Sequence, residues 1–527
     1  MRDTRCELHD DARYLAALRI VQRLRELGHQ AYFAGGCVRD LLLGTASKDF
    51  DVATDAKPEQ VQAAFARTEN VGAHFGVVLV IDKVEGERIA TEVATFRHDG
   101  AYSDGRRPDA VRFSSDPRED VLRRDFTING LLLDALRFES GDRIEDCVLD
   151  FVGGRNDLAA KTVRAIGEPE LRFAEDKLRM LRAVRFAARL GFQIEARTMQ
   201  AMQRQAAEIA VVSAERVREE LTKILTEGQA RRGFELLDES RLLAVVLPEV
   251  TKMKGVEQPP QYHPEGDVWV HTLMLLEHLR APASVPQGLK PRVAGSGYGT
   301  AEAVPLTRQP ASSRQPASSE QSASIEQQPE VAPAISPTLA WGMLLHDVGK
   351  PATFTPPDPA TPGDRIRFNG HVEVGVAVAR TILNRLRFSN EDAEQILALV
   401  KHHMQFGDVE QMRQSTLKRF LRLPKFDEHL ALHFADASSA SGDLSKYRFV
   451  QEQLQKLGEE AIRPVPLLTG SDLIAAGFKP GPGFREMLLA AEDAQLEGRV
   501  TTKDEALRLV REIPRTRGEE NADSLRE

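Results

Sequence analysis

Residues 282–337 set the first limit on what this chain can fold into. The stretch is rich in Pro, Ser, Ala and Gln, and it repeats the unit RQPASS at 308–319. Such a composition cannot bury enough apolar surface to offset the entropy of ordering it, so the segment reads as a disordered insertion. The folded body must therefore be assembled from the chain on either side, with the flanking elements packed together while the insertion loops out.

That body is too large for one core. A chain of 527 residues corresponds to about three or four domains. At 42% hydrophobic and 28% charged residues, the composition is that of a soluble globular protein. No run approaches the ~18–20 apolar residues of a membrane span, so no membrane is expected among its partners. The first residues, MRDTRCELHDDARYLAALRI, are too acidic and too briefly apolar for a signal peptide. Cys6, Cys37 and Cys147 form neither a metal spacing nor a disulfide framework, and a reducing cytoplasm is the expected compartment. The net charge of −9 argues against a protein coated in nucleic acid but allows a local basic groove.

Before residue 150 the pattern mixes helix and strand. Residues 12–28 read as a helix closed by Gly28, and AYFAGG (31–36) as a short strand running into two glycines. VRDLLLG begins a helix that stops at Gly44, DFDVAT is the next strand, and PEQVQAAFAR is a helix with Pro58 in its first turn. GVVLVID and ERIATEVATFR read as paired strands. The pattern is helical over 161–240, again over 266–280, and from 338 onward.

Within the first part, SKDFDVATDA places Asp49 and Asp51 two residues apart on a strand, hence on one face. Neighbouring carboxylates repel unless a cation sits between them, and Mg²⁺ takes one or two protein carboxylates together with substrate phosphate oxygens. Upstream, Gly35 and Gly36 let the backbone approach a ligand, the following helix offers free N–H groups to phosphates, and Arg39 adds a cation. Metal-binding acids beside a phosphate cradle are the parts of nucleotidyl transfer. Glu92, on a later strand, is a candidate third carboxylate. In FAEDKLRMLRAVRFAARLG, the 100° helical step puts Arg179, Arg182, Arg185 and Arg189 within about 120° of one another, opposite Met180, Leu181 and Val184. Four like charges on one stripe repel, which favours an anionic ligand over a solvated face.

These segments, with RHDGAYSDGRRPDAVRF and RRDFTING in order between them, resemble the tRNA nucleotidyltransferase and bacterial poly(A) polymerase family over residues 30–240. The resemblance implies a catalytic head built on five strands, followed by a helical neck and body. It implies that Arg124 contacts the triphosphate, and that Asp176 and Arg179 form an amino-acid template for the base, Arg182 and Arg185 extending the nucleotide site. A carboxylate accepting from the exocyclic amino group and a guanidinium donating to a ring nitrogen suit cytosine and adenine and disfavour uracil and guanine. Glu215 and Arg216 in SAERVREELTKIL are read as structural. The loop 99–113 accompanies the ability to add A in this family.

Beyond residue 240 a ladder of histidines appears: His271, His346 with Asp347 in LLHDVGK, His371, His402 and His403 in VKHHM, and Asp436. It resembles the HD phosphohydrolase superfamily, with HDVGK as signature. His271, His346, Asp347, His371, His402 and Asp436 are the expected ligands of a transition metal, which would activate water against a phosphoester.

The expected fold is α+β: a small nucleotidyltransferase-type α/β head (1–160), an all-helical neck and body (161–240), a helical HD-type domain (241–440) and a helical tail (441–527). The expected function is template-independent addition of CCA to the tRNA 3′ end from CTP and ATP, with Asp49, Asp51 and Glu92 catalytic and Mg²⁺ as cofactor. An A-adding enzyme, a poly(A) polymerase, a phosphohydrolase with an RNA-binding head and a non-catalytic RNA-binding protein are the alternatives.

Overall fold

The computed structural model describes residues 8–72, 76–84, 86–100, 111–279, 336–481 and 483–512. Cys6, residues 101–110 of the expected A-adding loop and all of the insertion up to residue 335 lie outside the described residues.

The first segment folds as helix α1 (Ala12–Glu26), β1 (Ala31–Ala34), α2 (Gly36–Leu42), β2 (Asp51–Thr54), α3 (Pro58–Ala64), β3 (Thr68–Gly72), β4 (Val77–Val84) and β5 (Glu87–Thr95). A small hairpin of β6 (Arg97–Asp99) and β7 (Val111–Phe113) follows, then α4 (Pro117–Leu122), β8 (Leu131–Leu133) and β9 (Val148–Asp150). Seven strands form one sheet in the order β3-β4-β5-β2-β1-β8-β9, two more than the resemblance implies. The centre of the sheet reverses direction. β2 runs antiparallel to β1 but parallel to β5, which lets Val52 pair with Val93. α1 covers one face. Its N-cap Asp11 accepts from the Arg13 N–H, and its Tyr14 packs edge-on against Phe33 and Phe50, with centroids 5.6 and 5.3 Å apart. Tyr32, Phe96, Val121 and Leu132 form a smaller cluster on the sheet's other side.

The neck is helical as expected, apart from a parallel ladder of Thr162–Val163 with Gln193–Ile194. Its helix α5 (Leu178–Leu190) buries Met180, Leu181, Ala183, Val184, Ala187 and Ala188 and ends at Gly191. Helices α6 (Ala214–Thr226) and α7 (Ala230–Glu239) pack against it. The histidine-bearing helices are α8 (Val268–Glu277), α9 (Pro337–Leu345), α10 (His371–Arg385), α11 (Asn390–His402) and α12 (Phe426–Ser439). α8 and α9, which flank the insertion, do pack on each other.

One contiguous apolar cluster runs from Tyr14 to Ala435 and so joins head, neck and histidine helices. A second cluster spans Phe406 to Ile462, across residue 440, and a third spans Leu468 to Val510.

Candidate active sites

In the head, the strand register brings the acids together. Asp51 opens β2, and the Val52–Val93 pairing sets it beside Glu92 on the parallel neighbour β5. Asp51 is half-buried, while Glu92 and Asp49 are exposed. Burial pushes the Asp51 carboxyl up to about 6; Glu92 and Asp49 push the same way, and Arg124 opposes them. The three acids thus form one electrostatic group, more open than the histidine centre: all three sets of ligand atoms within 4.8 Å among the described residues belong to the latter.

The glycine turn stands next to these acids, because β1 pairs with β2 through Ala34 and Asp51. Gly35 has φ +76°, and a Cβ there would stand 3.0 Å from Arg124 Nη1, so a side chain would be strained and would displace that guanidinium. Arg124 is held by Asp120, its Nη2 donating at 3.0 Å, and stays partly exposed beside the turn. Arg39 is placed differently from the expectation. It is 2% exposed, it donates from Nε to Asp40 Oδ1 at 2.8 Å and from Nη1 to Asn129 Oδ1 at 2.7 Å, and it packs over Phe186. It braces the turn from behind, because a guanidinium one turn into a short helix on the sheet points into the core.

The arginine stripe of α5 is real, but it is not left without counterions. Arg179 donates to Glu175, Arg182 makes two bonds to Asp125 Oδ2 at 2.9 and 2.7 Å, and Arg185 donates to Glu220 at 2.7 Å and Glu227 at 3.2 Å. Arg189 lies 3.7 Å from Asp40. Repulsion along the helix is thereby offset: Glu175 pairs with Arg179 at i,i+4, while Asp125, Glu220 and Glu227 come from other elements and are invisible to an i,i+4 count. The paired Asp125 carboxyl is held low, at about 2, because Arg182 and the Asn129 amide outweigh its burial. Asp176 accepts from Leu178 N at 3.1 Å and from Arg216 Nη2 at 2.8 Å. Arg216 is therefore the group that aims Asp176, a role sequence reading missed because the two are 40 residues apart.

The histidine centre is the more closed site. His346 Nδ1 donates to Met343 O at 2.9 Å, His371 Nδ1 to Phe368 O at 3.0 Å, and His403 Nδ1 to Val400 O at 2.6 Å. A carbonyl only accepts, so each Nδ1 carries a proton and each ring turns its Nε2 inward, where it can offer a lone pair to a cation. The Nε2 atoms of His371 and His403 lie 3.4 Å apart. Asp347 serves both sides: Oδ2 lies 3.2 Å from His346 Nε2, and Oδ1 lies 3.8 Å from His371 and 3.7 Å from His403. Three ligand sets result: His271–His346–Asp436, Asp347–His371–His403 and His263–Glu265–His271. Converging Nε2 atoms and carboxylates, with rings fixed from behind by backbone carbonyls, are a donor set that suits a transition metal. Gly349 makes the convergence possible: a Cβ there would meet His371 O at 2.1 Å, so only glycine lets the HDVGK turn touch the start of α10.

His402 does not join the centre. Its ring faces His429, 5.9 Å away, and His403 takes the expected place. Successive helical residues differ by about 100° in direction, so only one of two adjacent histidines can point inward. His403 is the one in phase with buried Ile396, Leu399 and Val400, a signal present in the sequence. Sequence reading also missed Glu265, which accepts from His271 Nδ1 at 2.6 Å and His263 Nδ1 at 2.8 Å. Between Glu265 and Asp436, the latter 3.0 Å from its Nε2, His271 is pushed up to about 9 against its own burial. His403 is pushed down to about 4 by burial.

The family models that match are a poly A polymerase head domain over 31–164, a probable RNA and SrmB-binding site of polymerase A over 191–254, and a putative tRNA nucleotidyltransferase domain 2 over 371–510. The chain is 38% identical over 265 residues to the CCA-adding enzyme of Bacillus pumilus, covering 49% of this chain and 63% of that enzyme. It is 44% identical over 228 residues to the CCA-adding enzyme of Geobacillus stearothermophilus, covering 43% and 53%. The matched region thus spans between half and two thirds of the length of these curated relatives. In fold, the chain is similar to the crystal structure of the Bacillus stearothermophilus CCA-adding enzyme in complex with CTP, at a TM-score of 0.64 and 24% identity over 95% of this chain and 98% of that one. It is also similar to the Thermotoga maritima CCA-adding enzyme complexed with tRNA-CCA, at a TM-score of 0.52 and 17% identity over 97% and 98%.

Proposed function

We propose that this chain, which belongs to the tRNA nucleotidyltransferase and poly(A) polymerase family, adds C, C and A to the 3′ end of tRNA from CTP and ATP. The observation that carries this reading is the acid group beside the glycine turn, Asp51 in register with Glu92 and two residues from Asp49, with Arg124 at its edge. Asp49 and Asp51 would hold Mg²⁺, with Glu92 completing the acid group; the bound ions supply a lower pKa for the attacking 3′-hydroxyl and neutralise the leaving pyrophosphate. Arg124 grips the triphosphate with its guanidinium fork. Asp176, aimed by Arg216, accepts from the exocyclic amino group of cytosine or adenine, and Arg179 donates to the ring nitrogen. Arg182 and Arg185 keep this wall rigid through Asp125 and Glu220. The cytoplasm is the compartment where these substrates meet.

Incorporation of radiolabelled CTP and ATP into tRNA lacking CCA, tRNA ending in CC and an unrelated RNA tests the reading. CCA addition to the first and A addition to the second are expected. A alone on CC ends would make it an A-adding enzyme, and tailing of the unrelated RNA a poly(A) polymerase. Asn at both 49 and 51 should abolish every product; extension at the normal rate would refute the role of these acids.

The convergence of inward-facing Nε2 atoms and carboxylates supports a second reading for the other site, metal-dependent phosphoester hydrolysis. His271, His346, Asp347, His371, His403 and Asp436 would hold the metal, which supplies an activated water when bound. Elemental analysis and phosphoester turnover of the full chain test it.

A further inference from the structure

Beside the histidine centre lies a cavity of about 370 Å³ whose walls include Asp347, His371, Lys350, Tyr262, Arg365 and Phe368. Its cations differ in what they already hold. Lys350 Nζ lies 2.7 Å from Asp347 Oδ2 and donates to Gln258 Oε1 at 2.7 Å. Arg367 pairs with Asp364. Arg365 has no carboxylate partner among the described residues; its Nη1 donates to the Tyr262 hydroxyl at 3.0 Å and its guanidinium lies 5.6 Å from that ring's centroid. Tyr262 thus orients the fork without neutralising it.

The loop that carries Arg365 is built to hold it there. Thr355 and Arg367 close it by two backbone bonds of 2.9 and 3.0 Å. Pro356, Pro357, Pro359 and Pro362 stiffen it. Its own acids bond within the loop, Asp364 accepting from Asp358 N at 2.6 Å and Asp358 from Ala360 N at 2.9 Å. Its far end is tied to the centre through Phe368, whose carbonyl fixes His371 at 3.0 Å. One exposed guanidinium, uncompensated and oriented by Tyr262 next to metal ligands, with Phe368 beside it, makes a site for a phosphate group.

We propose that Arg365, held by Tyr262, clamps the phosphate of the phosphoester presented to the histidine centre; this rests on reading that centre as a metal-dependent phosphohydrolase. The organic part of the ester lies against Phe368 and the exposed Met404, which line the same cavity.

The test uses the full chain loaded with Mn²⁺ or Ni²⁺. Inorganic phosphate binding is measured by calorimetry and p-nitrophenyl phosphate hydrolysis by steady-state kinetics. Arg365→Gln should weaken phosphate binding and raise KM at least about 10-fold, with kcat changed less than about 2-fold. Arg365→Lys should recover part of the loss, and Tyr262→Phe should show a smaller loss of its own. Metal content and CTP incorporation should stay unchanged, which separates a clamp from a structural role. Equal phosphate affinity in the unchanged chain and Arg365→Gln, no phosphate binding by the metal-loaded chain, or a joint fall in metal content and kcat would each overturn the proposal. A chain that binds phosphate through Arg365 but hydrolyses nothing would refute the hydrolase reading and leave the clamp standing.

Discussion

Asp51 shows how one residue sets function against stability. In the folded chain its carboxyl holds a proton up to about pH 6, against an ordinary value of 3.8, because of burial and the charges of Glu92 and Asp49. The folded state therefore binds the proton more tightly than the unfolded one. The resulting penalty is absent below 3.8, grows through the interval and is complete above about pH 6, at up to about 3 kcal/mol. Asp51→Asn should raise Tm at pH 8, leave it unchanged near pH 4, and abolish CTP incorporation; an unchanged Tm at pH 8 would contradict the placement of the three acids. His271 titrates in the opposite sense. Its raised value, about 9, means that its ion pairs stabilise the fold below pH 6.5 and are lost as pH rises through 9. A metal must displace that proton, so metal affinity measured by competition with a chelator should tighten from pH 7 to pH 9, and His271→Gln should remove the dependence.

At the scale of single elements, α6 is the hinge of the nucleotide wall. One face aims Arg216 at Asp176 and Glu220 at Arg185. The other face reaches the histidine helices, where Trp341 Nε1 donates to Thr222 Oγ1 at 3.0 Å and Arg387 pairs with Glu215 at 2.7 Å. Both Asp176→Ala and Arg216→Ala should relax the exclusion of UTP in incorporation assays while sparing Mg²⁺ dependence. If UTP is excluded as before in both, the template role fails. α12 carries a different liability. His429 is 1% exposed, neither of its ring nitrogens has a hydrogen-bond partner among the described residues, and burial pushes it down to about 4. The unfolded state gains the proton first, so stability falls as pH drops from 6.5 to 4, by up to about 3 kcal/mol. His429→Leu should flatten denaturation midpoints over that range.

At the scale of the whole molecule, the continuous cluster from Tyr14 to Ala435 predicts that the piece 241–440 will not fold alone. Trp341 is fully buried and its indole N–H is bonded to the neck, so excision would expose both. Circular dichroism of that fragment should show loss of cooperative unfolding. By contrast, replacing 282–334 with a short Gly/Ser linker should leave metal content and incorporation unchanged, because α8 and α9 already pack on each other.

Local chemistry determined much of this without help. The D-x-D pair on one strand face, the glycines before it, the apolar side of α5 and the HDVGK ladder all depend on residue type at short spacing, which backbone periodicity converts directly into geometry. What tertiary structure alone decided is where charges find partners. Arg39 was buried against Asn129, and the α5 stripe was balanced by Asp125, Glu220 and Glu227. These outcomes depend on Coulomb and packing terms between residues tens of positions apart, and no local pattern carries a distance between them.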